Sequence, residues 1–140
     1  MLVSIVIRTL NEATYMAEML EAIDMQIRQD FEVEVVIIDS GSTDATLSIA
    51  QDFGCKITFI TKDQFTFGRS LNMGSDFANG DILVYISGHC VPTDSAWLMQ
   101  LTKPIVDGVA GYTYGRQIGR DTTKYAEGKI FEKYFPSQSK

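Results

Sequence analysis

At 140 residues the chain has the size of one domain, and its 45% apolar and 21% charged residues are those of an ordinary globular protein. A formal net charge of −6 argues against a nucleic-acid partner, which would want a basic face, and no apolar run nears the ~20 residues that span a bilayer. Two cysteines make no disulfide framework, and the first residues lack the basic start and cleavage site of a signal peptide, so a cytoplasmic setting is expected.

Residues 2–7 begin the chain as a strand with continuous rather than alternating Val, Ile and Leu, the pattern of a strand covered on both faces in a parallel sheet. It runs into a polar, turn-forming cluster at 8–12, and a helix is predicted over 14–27 with Met16, Leu20, Ile23 and Ile27 near helical spacing. A second strand over 33–38 ends in the cluster 39–44, whose Ser42, Thr43 and Asp44 suit the start of a helix over 44–53. A third strand over 56–60 leads through a polar stretch at 61–68 to a helix over 69–79. That helix sets Leu71, Gly74 and Ala78 on one face and ends at Asn79-Gly80. The fourth strand, 82–86, runs into 87–90. A helix over 94–103 follows Pro92-Thr93, carries Trp97, Leu98 and Leu101, and is expected to stop at Pro104. Residues 109–114 form a candidate fifth strand, and the polar stretch 116–140 reads as an extension for packing or self-association, with Ile130, Phe131, Tyr134 and Phe135 spaced for one helical face.

This order predicts an α/β, Rossmann-like domain over 1–115, a mostly parallel sheet in the order 3-2-1-4 flanked by helices, because parallel strands joined by helices require right-handed crossovers. In such a sheet the ligand lies outside the carboxyl ends of the strands, where the order reverses. The polar clusters are therefore the candidate site. Asp39, directly at a strand end, is placed to accept hydrogen bonds from a ribose or a base, and Ser40, Gly41 and Ser42 allow close backbone approach. Asp44 reads as a helix cap. Thr9 and Asn11 offer short polar groups beside Asp39 in this strand order, although both residue types are also common in turns. Ser87, Gly88 and His89 follow strand four. His89, the single histidine, is suited to Mn²⁺ or Zn²⁺ or to acid–base work, and Cys90 reads as a small buried residue rather than a nucleophile. Gly68 and Asn72 begin the third helix facing the same crevice, where helix packing accounts for them nearly as well.

Together these runs resemble the family 2 glycosyltransferases of the GT-A fold. Thr9 and Asn11-Glu12 match the family's first turn, and residues 39–44 match its Asp-Asp-Gly-Ser-Thr-Asp with Ser40 in place of the second Asp. Gly68, Asn72 and Gly80-Asp81 match its later Gly, Asn and Gly-Asp. Ser-Gly-His-Cys-Val-Pro at 87–92, then Trp97-Leu98 and Tyr-Gly-Arg-Gln at 114–117, resemble a bacterial, rhamnosyltransferase-like subset. The resemblance implies an inverting transfer from a nucleotide diphosphate sugar to an acceptor glycan or lipid-linked saccharide. Thr9, Asn11, Glu12, Asp39, Ser40, Gly41, Gly68, Asn72, Ser87 and Gly88 would bind the donor.

His89 falls where the family's metal-binding Asp-x-Asp motif ends, so it is the implied metal ligand. A divalent cation is expected there, Mn²⁺ in preference to Mg²⁺ because imidazole is the softer donor. The family's general base is an acidic residue on a later segment. Glu127 and Glu132 are the only late glutamates and lie in no recognisable motif, so the catalytic base is unassigned and the chain reads as truncated after the nucleotide-binding half. A homo-oligomer, cytoplasmic or peripheral at the inner membrane, is expected. Two competing classes stand beside this reading: a catalytically silent nucleotide-sugar-binding module, and a signalling domain with Asp39 as phosphoacceptor, which would want further acids after strand one and a Lys at a later strand end.

Overall fold

The structure is a computed structural model that describes residues 1–121, 123, 125–135 and 137. They fall into two compact units, 1–100 and 101–140. The first holds four parallel strands in the order β3-β2-β1-β4, with β1 Leu2–Thr9, β2 Glu32–Asp39, β3 Lys56–Phe59 and β4 Ile82–Ser87. The strand order is the one expected from sequence. The central pair carries the continuous β-branched runs, and Val3, Ile5, Val6, Ile7, Val36 and Ile37 are completely buried.

Helices pack on both faces. In α1 (Ala13–Asp24), Met16, Met19, Leu20 and Ile23 form the buried stripe. The helix ends three residues before the expected Ile27, which is 41% exposed, and the neighbouring Gln26 is buried in its stead. Gln26 Nε2 donates to Ala22 O and Asp94 O, and its Oε1 accepts from Leu98 N, so every polar arm of this side chain is used. Helix α2 is Thr46–Asp52. Helix α3 (Phe67–Phe77) is capped by Thr66, whose Oγ1 accepts from Arg69 N at 3.0 Å. It covers a core of Val6, Val36, Ile38 and Ile60 with Leu71, Met73 and Ala78. Gly74 makes this possible: a Cβ there would stand 2.4 Å from Ile38 Cδ1 and 2.5 Å from Val6 Cγ1.

Helix α4 (Trp97–Val106) continues through Pro104, against the expectation that the proline ends it. Pro104 lies in the last turn, where its missing N–H leaves only the Gln100 carbonyl without its helical donor and the following turn closes on Pro104 O from Val109 N. Residues 109–114 do not form the expected fifth strand. Val109, Tyr112 and Tyr114 are each at least 77% exposed, so no sheet face covers them. Within the second unit, Thr113 Oγ1 donates to Leu101 O, Arg116 Nε donates to Phe135 O, and α5 spans Tyr125–Tyr134. Ile130 and Tyr134 are exposed on α5, whereas the side chain of Phe131 lies outside the described residues.

Candidate functional site

The carboxyl ends of β1 and β2 finish in register, Thr9 opposite Asp39. This register turns two neighbouring strand ends into one polar cluster. Asp39 is completely buried, and its carboxylate accepts four hydrogen bonds. Oδ1 takes the N–H groups of Gly41 (2.9 Å) and Ser42 (2.8 Å), and Oδ2 takes the hydroxyls of Thr9 (2.8 Å) and Ser42 (2.5 Å). Burial opposes the charge, but the bonds from Ser42, Gly41 and Thr9 outweigh it and hold the carboxyl below its ordinary range. Gly41 adopts φ +112°, which a side chain would resist, and this is what lets the 41 and 42 amides turn back onto one oxygen. Ser40 is tucked inward, with its N–H and hydroxyl both directed at Thr9 O. Asp39 is thus a structural anchor of its loop as well as a strand-end carboxylate. The sequence alone favours only the second role.

A reciprocal clasp joins this loop to the one after β1. Asn11, at φ +53°, accepts on Oδ1 from Thr43 N (2.8 Å) and Asp44 N (3.3 Å), while its own N–H donates to Ser42 Oγ (2.9 Å). The next two amides, Glu12 and Ala13, donate to Thr46 Oγ1 and Asp44 Oδ2. Asp44 also accepts from the Thr46 N–H and hydroxyl, and these bonds draw its carboxyl below the ordinary range. Asp44 is not the N-cap of α2, which is Ala45; it lies two residues before the helix, accepts from the first helical N–H at Thr46, and reaches across to Ala13 at the start of α1.

The loop after β4 closes the third side. Ser87 lies opposite Arg8, and Ser87 O accepts from Cys90 N to make a turn. Gly88 sits where a Cβ would come 2.8 Å from Glu12 Cγ, 3.0 Å from Arg8 O and 3.3 Å from Thr9 Cγ2. Only glycine lets β4 end this close to β1. His89 Nδ1 stands 3.5 Å from Glu12 Oε1, and among the described residues no group of three or more His, Cys, Asp or Glu gathers as a metal site. The structure therefore brings together Thr9, Asn11, Glu12, Asp39, Ser40, Gly41, Gly88 and His89, with Ser87 at the base of the turn. Gly68 and Asn72 lie exposed on α3, whose first residue Phe67 touches Arg8, and among the described residues no hydrogen bond ties them to these loops.

Two residues carry contacts that the sequence does not assign to them. Ser42 supplies two of the four bonds on Asp39, and its spacing three residues after a strand-end Asp was the available signal. Arg8 interrupts an otherwise buried strand and holds its guanidinium 4.5 Å over the ring of Phe67, at the start of α3. A charged residue inside an apolar strand was the signal for it. A cleft of about 200 Å³ lies away from all these loops, toward the amino ends of β2 and β3, and includes Cys55. Burial, with the charge of Asp24, pushes the Cys55 thiol up to about 11, so it is not a nucleophile at neutral pH. On α5, Glu132 is engaged with Lys129 at 2.6 Å, and the side chain of Glu127 lies outside the described residues.

Comparison with known proteins agrees with this architecture. An uncharacterized glycosyltransferase of Rickettsia typhi is 36% identical over 87 residues, covering 61% of this chain and 26% of that protein. The fold is shared with TarS of S. aureus (TM-score 0.66, 23% identity, 76% of this chain and 33% of that one). It is shared also with glucosyl-3-phosphoglycerate synthase of Mycobacterium tuberculosis, solved with Mn²⁺, UDP-glucose and phosphoglyceric acid (TM-score 0.63, 23% identity, 76% and 40%). The chain thus spans about a quarter to two-fifths of the length of these proteins. The model of Glycosyl transferase family 2 matches residues 4–138, nearly the whole sequence, and the parallel 3-2-1-4 sheet is the GT-A arrangement: the chain belongs to the family 2 glycosyltransferases.

Proposed function

We propose that the chain binds a nucleotide diphosphate sugar at the carboxyl ends of β1, β2 and β4, as the donor-binding part of an inverting glycosyltransferase whose acceptor is a glycan or lipid-linked saccharide. The observation that carries the reading is the register-matched Thr9–Asp39 pair with its glycine turn, at the crevice of a parallel sheet. Support comes from the fold neighbours, since TarS has been solved with UDP and with UDP-GlcNAc. Thr9, Asn11, Asp39, Ser40 and Gly41 serve the base and ribose, Gly68 and Asn72 approach the nucleotide from α3, Ser87 and Gly88 serve the diphosphate, and Glu12 acts on it only through a bound cation. Asp39 already holds four donors, so a ligand hydroxyl or base N–H displaces one of the two serine or threonine hydroxyls while the amides of 41 and 42 keep the carboxylate in place.

The donor set near β4 fits a divalent cation held partly by the ligand. His89 Nδ1 and Glu12 Oε1, 3.5 Å apart, offer one imidazole and one carboxylate, and diphosphate oxygens would complete the sphere. The imidazole favours Mn²⁺ over Mg²⁺. When bound, such a cation neutralises charge on the departing diphosphate. The rhamnosyltransferase-like assignment, a cytoplasmic or inner-membrane-peripheral location, and self-association through α5 belong to the same reading. The fact beneath the location is that, among the described residues, no helix is long and apolar enough to cross a membrane.

Calorimetric titration with a panel of nucleoside diphosphates and nucleotide sugars, with and without Mn²⁺, tests the reading. Saturable binding at micromolar concentration supports it, and failure of every nucleotide to bind rejects it. Binding with neither transfer nor hydrolysis assigns the chain to the catalytically silent class.

A further inference from the structure

We infer that Arg8 is a donor-binding residue, gripping the diphosphate of the nucleotide with its guanidinium while Phe67 holds that group in position. The inference rests on the nucleotide-binding reading above and gives a role to a residue that neither the donor-binding set nor the metal pair includes.

Arg8 is the penultimate residue of β1, in register with Ile38 on one side and Ser87 on the other, so it stands at the crevice. From Val3 to Thr9 it is the one residue of the strand that is not buried, and it is only half-exposed. A charge in that position is costly unless something balances it. Arg28, Lys56 and Lys103 pair with the carboxylates of Asp24, Glu34 and Asp107, and Arg69 and Arg116 donate to the backbone carbonyls of Gln64 and Phe135. Arg8 has no such partner among the described residues, and its neighbour is the Phe67 ring at 4.5 Å. Phe67 is in turn braced edge-to-face by Phe65, with ring centroids 5.5 Å apart and planes at 76°, yet remains 68% exposed.

This geometry has a chemical reading. A ring face attracts the cation without occupying the paired N–H fork as a carboxylate would, so the fork remains open to an oxyanion. Guanidinium matches phosphate oxygens in a bidentate manner. The diphosphate brings negative charge to the strand ends, where the half-buried Arg8 stands opposite Ser87 and the loops carry His89 and Glu12. Arg8 supplies a fixed positive charge to this site, in addition to the Lys62 side chain that lies against Gly41, and the nucleoside diphosphate is held in part without any divalent cation.

The test is calorimetry on the full chain with UDP and UMP, in EDTA and in Mn²⁺, for the parent protein and for Arg8→Gln, Arg8→Lys and Phe67→Leu, each checked for a native thermal transition. The parent protein should bind UDP in EDTA. Arg8→Gln should weaken UDP binding in EDTA at least tenfold and UMP binding less than threefold. Arg8→Lys, which keeps the charge but loses the fork, should fall between Gln and parent, and Phe67→Leu should weaken UDP about threefold. If Arg8→Gln is folded and binds UDP as the parent does, Arg8 has no role in the site while the nucleotide reading stands. If the parent binds neither nucleotide in either buffer, the nucleotide reading fails and takes this inference with it.

Discussion

Replacing Asp39 by Ala should destabilise the protein well beyond the loss of one ligand contact. The substitution removes the acceptor of four hydrogen bonds and leaves the amides of Gly41 and Ser42 and the hydroxyls of Thr9 and Ser42 to find others in a buried corner. Each bond to a charged acceptor is worth about 1.5–3 kcal/mol, but the two hydroxyls can rotate to neighbouring carbonyls, so the loss is dominated by the two amides. That gives about 3–6 kcal/mol, a large part of the ~5–15 kcal/mol that holds a domain together. Asp39→Asn keeps an oxygen for the amides and should cost about 1–2 kcal/mol. Urea unfolding followed by circular dichroism at pH 7 measures both, and the Ala variant should also melt about 10 °C lower. The Ala-minus-Asn difference is the informative quantity, since it isolates the orphaned amides. An Ala variant within 1 kcal/mol of the parent would refute the structural role and return Asp39 to the ligand-only role that its strand-end position suggests.

Glu34 carries a pH signature: burial opposes its charge, but bonds from Lys56, Ser4 and the Asn79 N–H bring it down to about 2. Because the folded value lies below the unfolded one, its contribution is complete above about pH 4.5 and disappears as pH falls toward 2. Glu34→Gln should therefore cost about 1.5–3 kcal/mol at pH 7, with the gap to the parent narrowing in urea titrations at pH 3; a pH-independent gap would contradict this. Gly74→Ala should lose about 1–3 kcal/mol by overpacking against Ile38 and Val6 despite the better helix propensity of Ala, as read from chemical denaturation. His89→Ala should abolish any Mn²⁺ enhancement of UDP binding while Cys90→Ser preserves it, and an unaltered enhancement in the His89 variant would move the cation elsewhere. Deleting residues 129–140 should lower the oligomer mass in light scattering, and an unchanged mass would remove α5 from self-association.

The sheet was legible because its strands are long β-branched runs whose spacing leaves room for one helix each, and the crossover rule then admits few orders. The site loops were legible for the same reason: they are what remains between such runs. What the sequence hid was partnership. Nothing in Asp39 itself reveals that Thr9, thirty positions earlier, and the amides of a glycine turn would consume its acceptors. The candidate strand at 109–114 had the right side chains but no sheet face to lie on, and β-propensity is mostly a statement about such a face. In sequence Pro104 implies a stop because a proline is intolerable in a helix interior, and its position in the last turn is visible only once the end of the helix is known.

The clasp between the loops after β1 and β2 joins residues 31 to 34 positions apart and runs in both directions, amides of each loop on side chains of the other. Neither loop can open without releasing the other, so the two should fluctuate as one cooperative unit. In hydrogen exchange the amides of Asn11, Glu12, Ala13, Thr43 and Asp44 should share one opening free energy, set by the β1–β2 pairing beneath them. A ligand arriving there meets a surface whose ordering entropy was spent during folding, which is the physical meaning of preorganisation. The corresponding vulnerability is mutational: a change at Asn11 is felt in a loop that the chain reaches only after a complete helix and a second strand.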